Sequence, residues 1–171
     1  GSASLLAAAG CSSTRPGDRS LAIIDCHTHF FDPTRPEGVP WPGKESPLHK
    51  PTFVADYLAQ PVPQPVTATV VVEASPWVED NQWILDLAGK DDFIVGLCGN
   101  LDPMHDQFAA NLQRFAANPL FRGIRVGGGA IQEQLGNPTF MGSIRRLADL
   151  NLQLDVNGPP NSLPAIARLA A

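Results

Sequence analysis

Apolar runs alternate with polar, proline- or glycine-marked breaks along this chain, and the runs fall into two periods. Leu21–Cys26 (LAIIDC), running into HTHFFD, reads as a strand. Alternation on it puts Asp25, His27 and His29 on one face and Cys26 and Thr28 on the other. Thr67–Ser75 (TATVVVEAS) is β-branched and reads as a buried strand. Three more strands are expected: FIVGLCGNL within Asp92–Leu101, RGIRV at Arg122–Val126, and LNLQLDV at Leu150–Val156 with Leu150, Leu152 and Leu154 alternating.

Between these runs the period changes to 3.6. Thr52–Ala59 is a short helix candidate, and the proline-broken Gln60–Pro65 a connector. Glu79–Gly89 shows Trp83, Leu85 and Leu87 on an apolar side and Gly89 as a stop. Asp106–Ala117 repeats Phe108, Leu112 and Phe115 at i, i+4, i+7, and Pro138–Asp149 turns Phe140, Ile144 and Leu147 inward. Asn161–Ala171 starts a further helix. Strand and helix thus alternate as βα units, which calls for a parallel α/β sheet: an open doubly wound sheet or a (β/α)₈ barrel. No GxGxxG follows the first strand, and Gly127–Gly129 reads as a bend rather than a phosphate cradle. Phe30–Pro51, rich in proline, is a long loop of the kind that forms lids or binding segments. Trp41, His49 and Lys50 are its candidates for substrate contact, each equally able to be an ordinary loop residue.

The chain has 171 residues, enough for one domain, with a formal net charge of −5. It has no cluster of Lys and Arg, which disfavours nucleic acid as a partner. Its 43% apolar content allows a core. The three cysteines, Cys11, Cys26 and Cys98, form neither a disulfide framework nor a CxxC zinc pattern. Cys26 and Cys98 lie in apolar runs and are expected to be packed, unreactive thiols. Ser4–Cys11 (SLLAAAGC) looks like the tail of a bacterial lipoprotein signal. Residues 1–20 are therefore expected to be leader and linker, with Cys11 a candidate lipid-bearing residue on a protein exported to the periplasm or cell envelope. The alternative is a plain Ala/Ser-rich leader. No stretch is long enough for a transmembrane helix.

Polar groups collect where the strands end. The first strand ends in Asp25, His27 and His29, the second in Glu73 and Ser75, the third in Asn100 and Asp102, the fourth in Arg125, the fifth in Asp155 and Asn157. In a barrel these ends share one rim, where active sites sit. Two imidazoles about 6–7 Å apart along a strand end can converge on one divalent ion or one water, and neutral imidazole is a common zinc ligand.

These residues also carry a family resemblance. IIDCHTHFFDP looks like the opening of the amidohydrolase superfamily, in the branch related to fuconolactonases and 2-pyrone-4,6-dicarboxylate lactonases. VVVEASPWVEDNQWILDLA, FIVGLCGNLDP, FRGIRVGG and LNLQLDVNGPPNSLPAIARLA resemble its second to fifth βα units in order. The resemblance implies the first five βα units of a (β/α)₈ TIM-type barrel over residues 21–171, and hydrolysis of a small carbohydrate- or aromatic-derived lactone. It implies His27 and His29 as catalytic residues that hold a divalent metal, Zn²⁺ or Mn²⁺, or that orient the carbonyl in a metal-free site. Glu73, Ser75, Arg125 and Asn157 fall at rim positions expected to bind substrate, with Arg125 preferred over Arg122 as a carboxylate anchor. A closed barrel of this kind takes about 250 residues. The sixth-strand histidine and eighth-strand aspartate that the resemblance calls for have no counterpart in this sequence, which is expected to be an apparently truncated barrel. A decarboxylase on the same barrel, and a non-catalytic lipid-anchored binding module, are the alternative functions.

Overall fold

A computed structural model describes residues 22–171. Cys11 and the leader lie outside the described residues. Five strands form one parallel sheet in the order β1-β2-β3-β4-β5, each strand beside its sequence neighbour. They are β1 (Ile24–Thr28), β2 (Ala68–Val72), β3 (Ile94–Gly99), β4 (Phe121–Gly127) and β5 (Gln153–Asn157). The crossovers carry α1 (Val54–Leu58), α2 (Val78–Ala88), α3 (Phe108–Ala116), α4 (Gly128–Gln134) and α5 (Pro138–Asp149). A 3₁₀ turn at Pro160–Ser162 then leads into α6 (Leu163–Leu169). The sheet curls into a half-barrel with alternating helices.

The core lies between sheet and helices. Val71, Leu97 and Ile124 from the strands meet Ile84 of α2, Leu112 and Phe115 of α3, Ile131 of α4, and Phe140 and Leu147 of α5. All of these are fully buried. The i, i+4, i+7 triplet of α3 is buried as the pattern required. On α2 the buried face is centred on Ile84, Leu85 and Ala88, and Trp83 and Leu87 are only half-buried. At Gly99 of β3, side chains from α2 and β4 press against the strand. A Cβ there would collide with Asn81 and with the ring of Phe121.

Three local readings are corrected. Gly127–Gly129 is not a bend: β4 runs to Gly127 and α4 starts at Gly128, where a Cβ would strike Ser162 before α6. The fifth strand begins at Gln153, not Leu150. Leu150 caps α5 and is exposed, and Asn151 takes the left-handed conformation (φ 54°) that ends helices. The second strand ends at Val72, so Glu73 and Ser75 belong to the turn that follows. Phe30–Pro51 is a loop as expected, closed at its base by an antiparallel bridge between Phe31 and Thr52.

Candidate active site

The imidazole pair sits where the alternation of β1 breaks. Asp25 is level with Thr69 of β2 but Thr28 is level with Val71, so β1 carries one extra residue. Asp25 accepts a hydrogen bond from the Tyr57 hydroxyl of α1 at 2.8 Å and from the His27 N–H at 2.9 Å. Thr28 is buried against the Thr69 hydroxyl at 2.7 Å. His27 lines the sheet's concave face with Cys26, Cys98 and Arg125, around a cavity of about 300 Å³. The single face expected for Asp25, His27 and His29 is therefore split, with Asp25 held by the helix layer.

His29 donates Nδ1–H to the carbonyl of Val72 at 2.7 Å, which leaves Nε2 with a lone pair. Burial lowers its pKa below the ordinary 6.5; the Val72 carbonyl works against this, and His27 and Arg125 reinforce it. The two imidazoles meet edge to face with centroids 5.1 Å apart. On its other side His29 meets the ring of Trp41 at 5.5 Å, and Trp41 rests on Phe31. Trp41 thus carries the long loop to the site. His49 donates to the Pro42 carbonyl within the loop, and Lys50 is exposed.

Arg125 reaches His27 from β4, with its Nη2 3.3 Å from His27 Nε2. Its Nε donates to Asp155 Oδ2 of β5 at 2.5 Å. Arg125 and Asp155 are direct partners in the β4–β5 register. Beyond them Asn157, Asn100, Asp102 and Gly127 line a second cavity of about 300 Å³, again with Arg125 in its wall. The structure thus gathers His27, His29, Arg125 and Asn157 at one end of the strands.

Glu73 and Ser75 lie in a separate cluster. Both are buried, and Glu73 Oε1 accepts the Ser75 N–H at 2.7 Å while Ser75 Oγ accepts the Trp77 N–H. They share with Arg35, Asp80 and Trp41 the wall of a void of about 10 Å³, room for a water at most. Burial pushes the Glu73 carboxyl up to about 7. The Ser75 N–H opposes this rise, and Asp80 adds to it. The pattern had missed Arg35, which crosses from the loop to pair with Asp80 at 3.0 Å while lying over Trp83. No spacing in the loop marked it. Asn81, fully buried in α2, was missed too. It holds both the N–H and the carbonyl of Asn100 at 2.9 Å and so pins the third strand's end. Its phase with Ile84, Leu85 and Ala88 was the available signal. A wider groove, about 750 Å³, lies beside Trp77, Asp102 and His105 and is lined by neither imidazole of the pair.

Of the two described cysteines, Cys98 is buried, its thiol pushed up to about 12 by burial. Cys26 is exposed, contrary to expectation, because it stands at the irregular part of edge strand β1.

The donor set fits a metal poorly as it stands. A zinc centre takes three or four protein ligands, and among the described residues no three His, Cys, Asp or Glu side chains gather. The ligand nitrogen of His27 already faces a guanidinium. A divalent ion bound to it would sit roughly 5 Å from that cation, a repulsion of several kcal/mol at an effective dielectric of about 20, reduced by solvent at the exposed His27.

The chain belongs to the amidohydrolase family, whose model matches residues 24–171. It is similar to a lactonase of that family. It is 28% identical over 155 residues to L-fucono-1,5-lactonase of Burkholderia ambifaria, covering 86% of this chain and 51% of that protein. The chain thus spans about half the length of the curated relative it matches. The half-barrel superposes on a crystal structure of an amidohydrolase from Burkholderia multivorans with bound HEPES, with TM-score 0.68 at 19% identity over 87% of this chain and 53% of the other. A crystal structure of an amidohydrolase from that organism with bound zinc gives TM-score 0.66 at 20% identity, over 86% and 53%. A probable 2-pyrone-4,6-dicarboxylic acid hydrolase from Acinetobacter baumannii, with citric acid bound, gives TM-score 0.66 at 20% identity, over 88% and 55%.

Proposed function

We propose that the full-length protein hydrolyses a small carbohydrate- or aromatic-derived lactone. The observation that carries this reading is the contact series Arg125–His27–His29, a fixed cation joined to two imidazoles at one end of the sheet. The lactonase and pyrone hydrolase among the relatives support the substrate class.

Opening a lactone takes a base for the attacking water, a positive group for the developing oxyanion, and polar contacts for the ring substituents. His29 meets the first need. Its Nδ1–H is held by Val72, so Nε2 accepts the proton of water as the new C–O bond forms. Arg125 faces the carbonyl oxygen and stabilises its charge. Collapse of the tetrahedral intermediate breaks the ring C–O bond, and the departing alkoxide recovers the proton from His29. The product is the open hydroxy acid. Asn100 and Asn157 line the adjoining cavity and hold substituents.

The test is acid release from a panel of sugar 1,5-lactones and pyrone carboxylates by the full-length protein. One acid equivalent per turnover is expected without release of CO₂. His29→Ala and Arg125→Gln should each lower kcat/KM by roughly 100-fold or more with the thermal midpoint retained. No lactone turnover, or release of CO₂, would overturn the reading.

A further inference from the structure

We propose that Asp155 is the positioning residue of this site: it aims Arg125 at His27, so that a fixed guanidinium is the cation beside the imidazole pair. The strand register sets this up. Arg125 and Asp155 are level on neighbouring parallel strands, so their side chains leave one face of the sheet side by side. Asp155 Oδ2 takes the Nε–H of Arg125 at 2.5 Å, and not a terminal nitrogen. A guanidinium is planar, with its donors in a fixed fork. Engaging Nε therefore fixes the plane and sends the terminal N–H groups past the carboxylate, where Nη2 comes within 3.3 Å of His27 Nε2. Arg125 is well buried, with 16% of its side chain exposed. Among the described residues Asp155 is the only acid within ion-pair distance of it. A second guanidinium, that of Arg122, lines the same cavity without a matching carboxylate among the described residues. Asp155 is thus what singles out Arg125.

The contact has a chemical consequence for His27. An arginine N–H can only donate, so His27 Nε2 accepts and the ring proton resides on Nδ1. His29 is also Nδ1–H, through Val72. The two imidazoles therefore share a tautomer but differ in use: the Nε2 of His27 is occupied, and the Nε2 of His29 remains for water. The rate consequence rests on the lactonase reading, but the tautomer does not.

The experiment is nitrogen-15 NMR of the histidine side chains in the full-length protein, for wild type, Asp155→Asn, Asp155→Glu and Arg125→Gln, paired with lactone kinetics. Wild type should show His27 as a single Nδ1–H tautomer. Asp155→Asn should give a tautomer mixture and a kcat/KM lower by roughly tenfold or more, and Asp155→Glu should restore both. Arg125→Gln leaves β5 untouched and should reproduce the tautomer change, which separates loss of aim from loss of fold. A His27 tautomer unchanged in both Asp155→Asn and Arg125→Gln would overturn the proposal, with lactone turnover still supporting the activity. A tautomer change in a protein that opens no lactone would support the role of Asp155 and sink the lactonase reading.

Discussion

His29, just past the end of β1, donates its Nδ1–H to the carbonyl of Val72 on β2, at 2.7 Å. This one bond fixes the ring's orientation and decides which nitrogen is left for chemistry. Burial also keeps the ring's pKa below 6.5. If neutral His29 is the base, the acid limb of a kcat/KM profile should lie below pH 6.5. An acid limb above 6.5 would contradict that role. The stability linkage has the same direction. With the folded pKa depressed, the contribution is fully present above the unfolded value near 6.5 and is lost as pH falls through the folded value.

Glu73 should act in the opposite sense. Its folded pKa is raised from 4.5 to about 7. Its contribution is therefore fully present below pH 4.5 and is lost as pH rises through about 7. Glu73→Gln should have little effect at pH 4.5 and should stabilise the protein at pH 8, by an amount of order 3 kcal/mol. Urea denaturation of both proteins at the two pH values measures this. Equal differences at both would show that the carboxyl ionises freely.

Zinc and Arg125 should compete for His27. Calorimetric titration of the full-length protein with Zn²⁺ is expected to show binding roughly tenfold or more tighter in Arg125→Gln than in wild type, because each 1.4 kcal/mol of removed repulsion is a factor of ten. The gain should disappear in the Arg125→Gln, His27→Ala double variant. Equal affinities in wild type and Arg125→Gln would mean that the guanidinium does not guard the nitrogen.

Asn81 should matter to stability out of proportion to its size. Asn81→Ala leaves the part-buried backbone groups of Asn100 and Val78 without their side-chain partner. A loss of about 3 kcal/mol is expected, read as a lower urea midpoint. Hydrogen exchange at the end of β3 should accelerate in the same variant. An unchanged midpoint would show that water satisfies these groups.

Much of the architecture was legible along the chain because burial imposes a period. The Phe108, Leu112, Phe115 repeat predicted both α3 and its inward face, and the β-branched run TATVVVEAS located β2. Where burial is interrupted the pattern failed. Three consecutive glycines carry no hydrophobic phase, so the start of α4 was hidden. Leu150 has the character of a strand residue yet is spent at a helix end, because Asn151 accepts the left-handed turn.

The site divides along the same line. The sequence determined which groups stand at the strand ends, since strand ends are where apolar runs give way to polar residues: His27, His29, Arg125 and Asn157 were all visible there. Which of them meet was decided only in three dimensions. A single extra residue in β1 turns Asp25 to the helices and His27 to the concave face. Register alone sets Asp155 beside Arg125, 30 residues away along the chain. Glu73 and Ser75, equally prominent in the sequence, are drawn into a buried turn beside Arg35 and Asp80. Chemical type is a property of each residue and can be read locally. Hydrogen-bond partnership depends on strand register and loop closure, which only the packed chain defines.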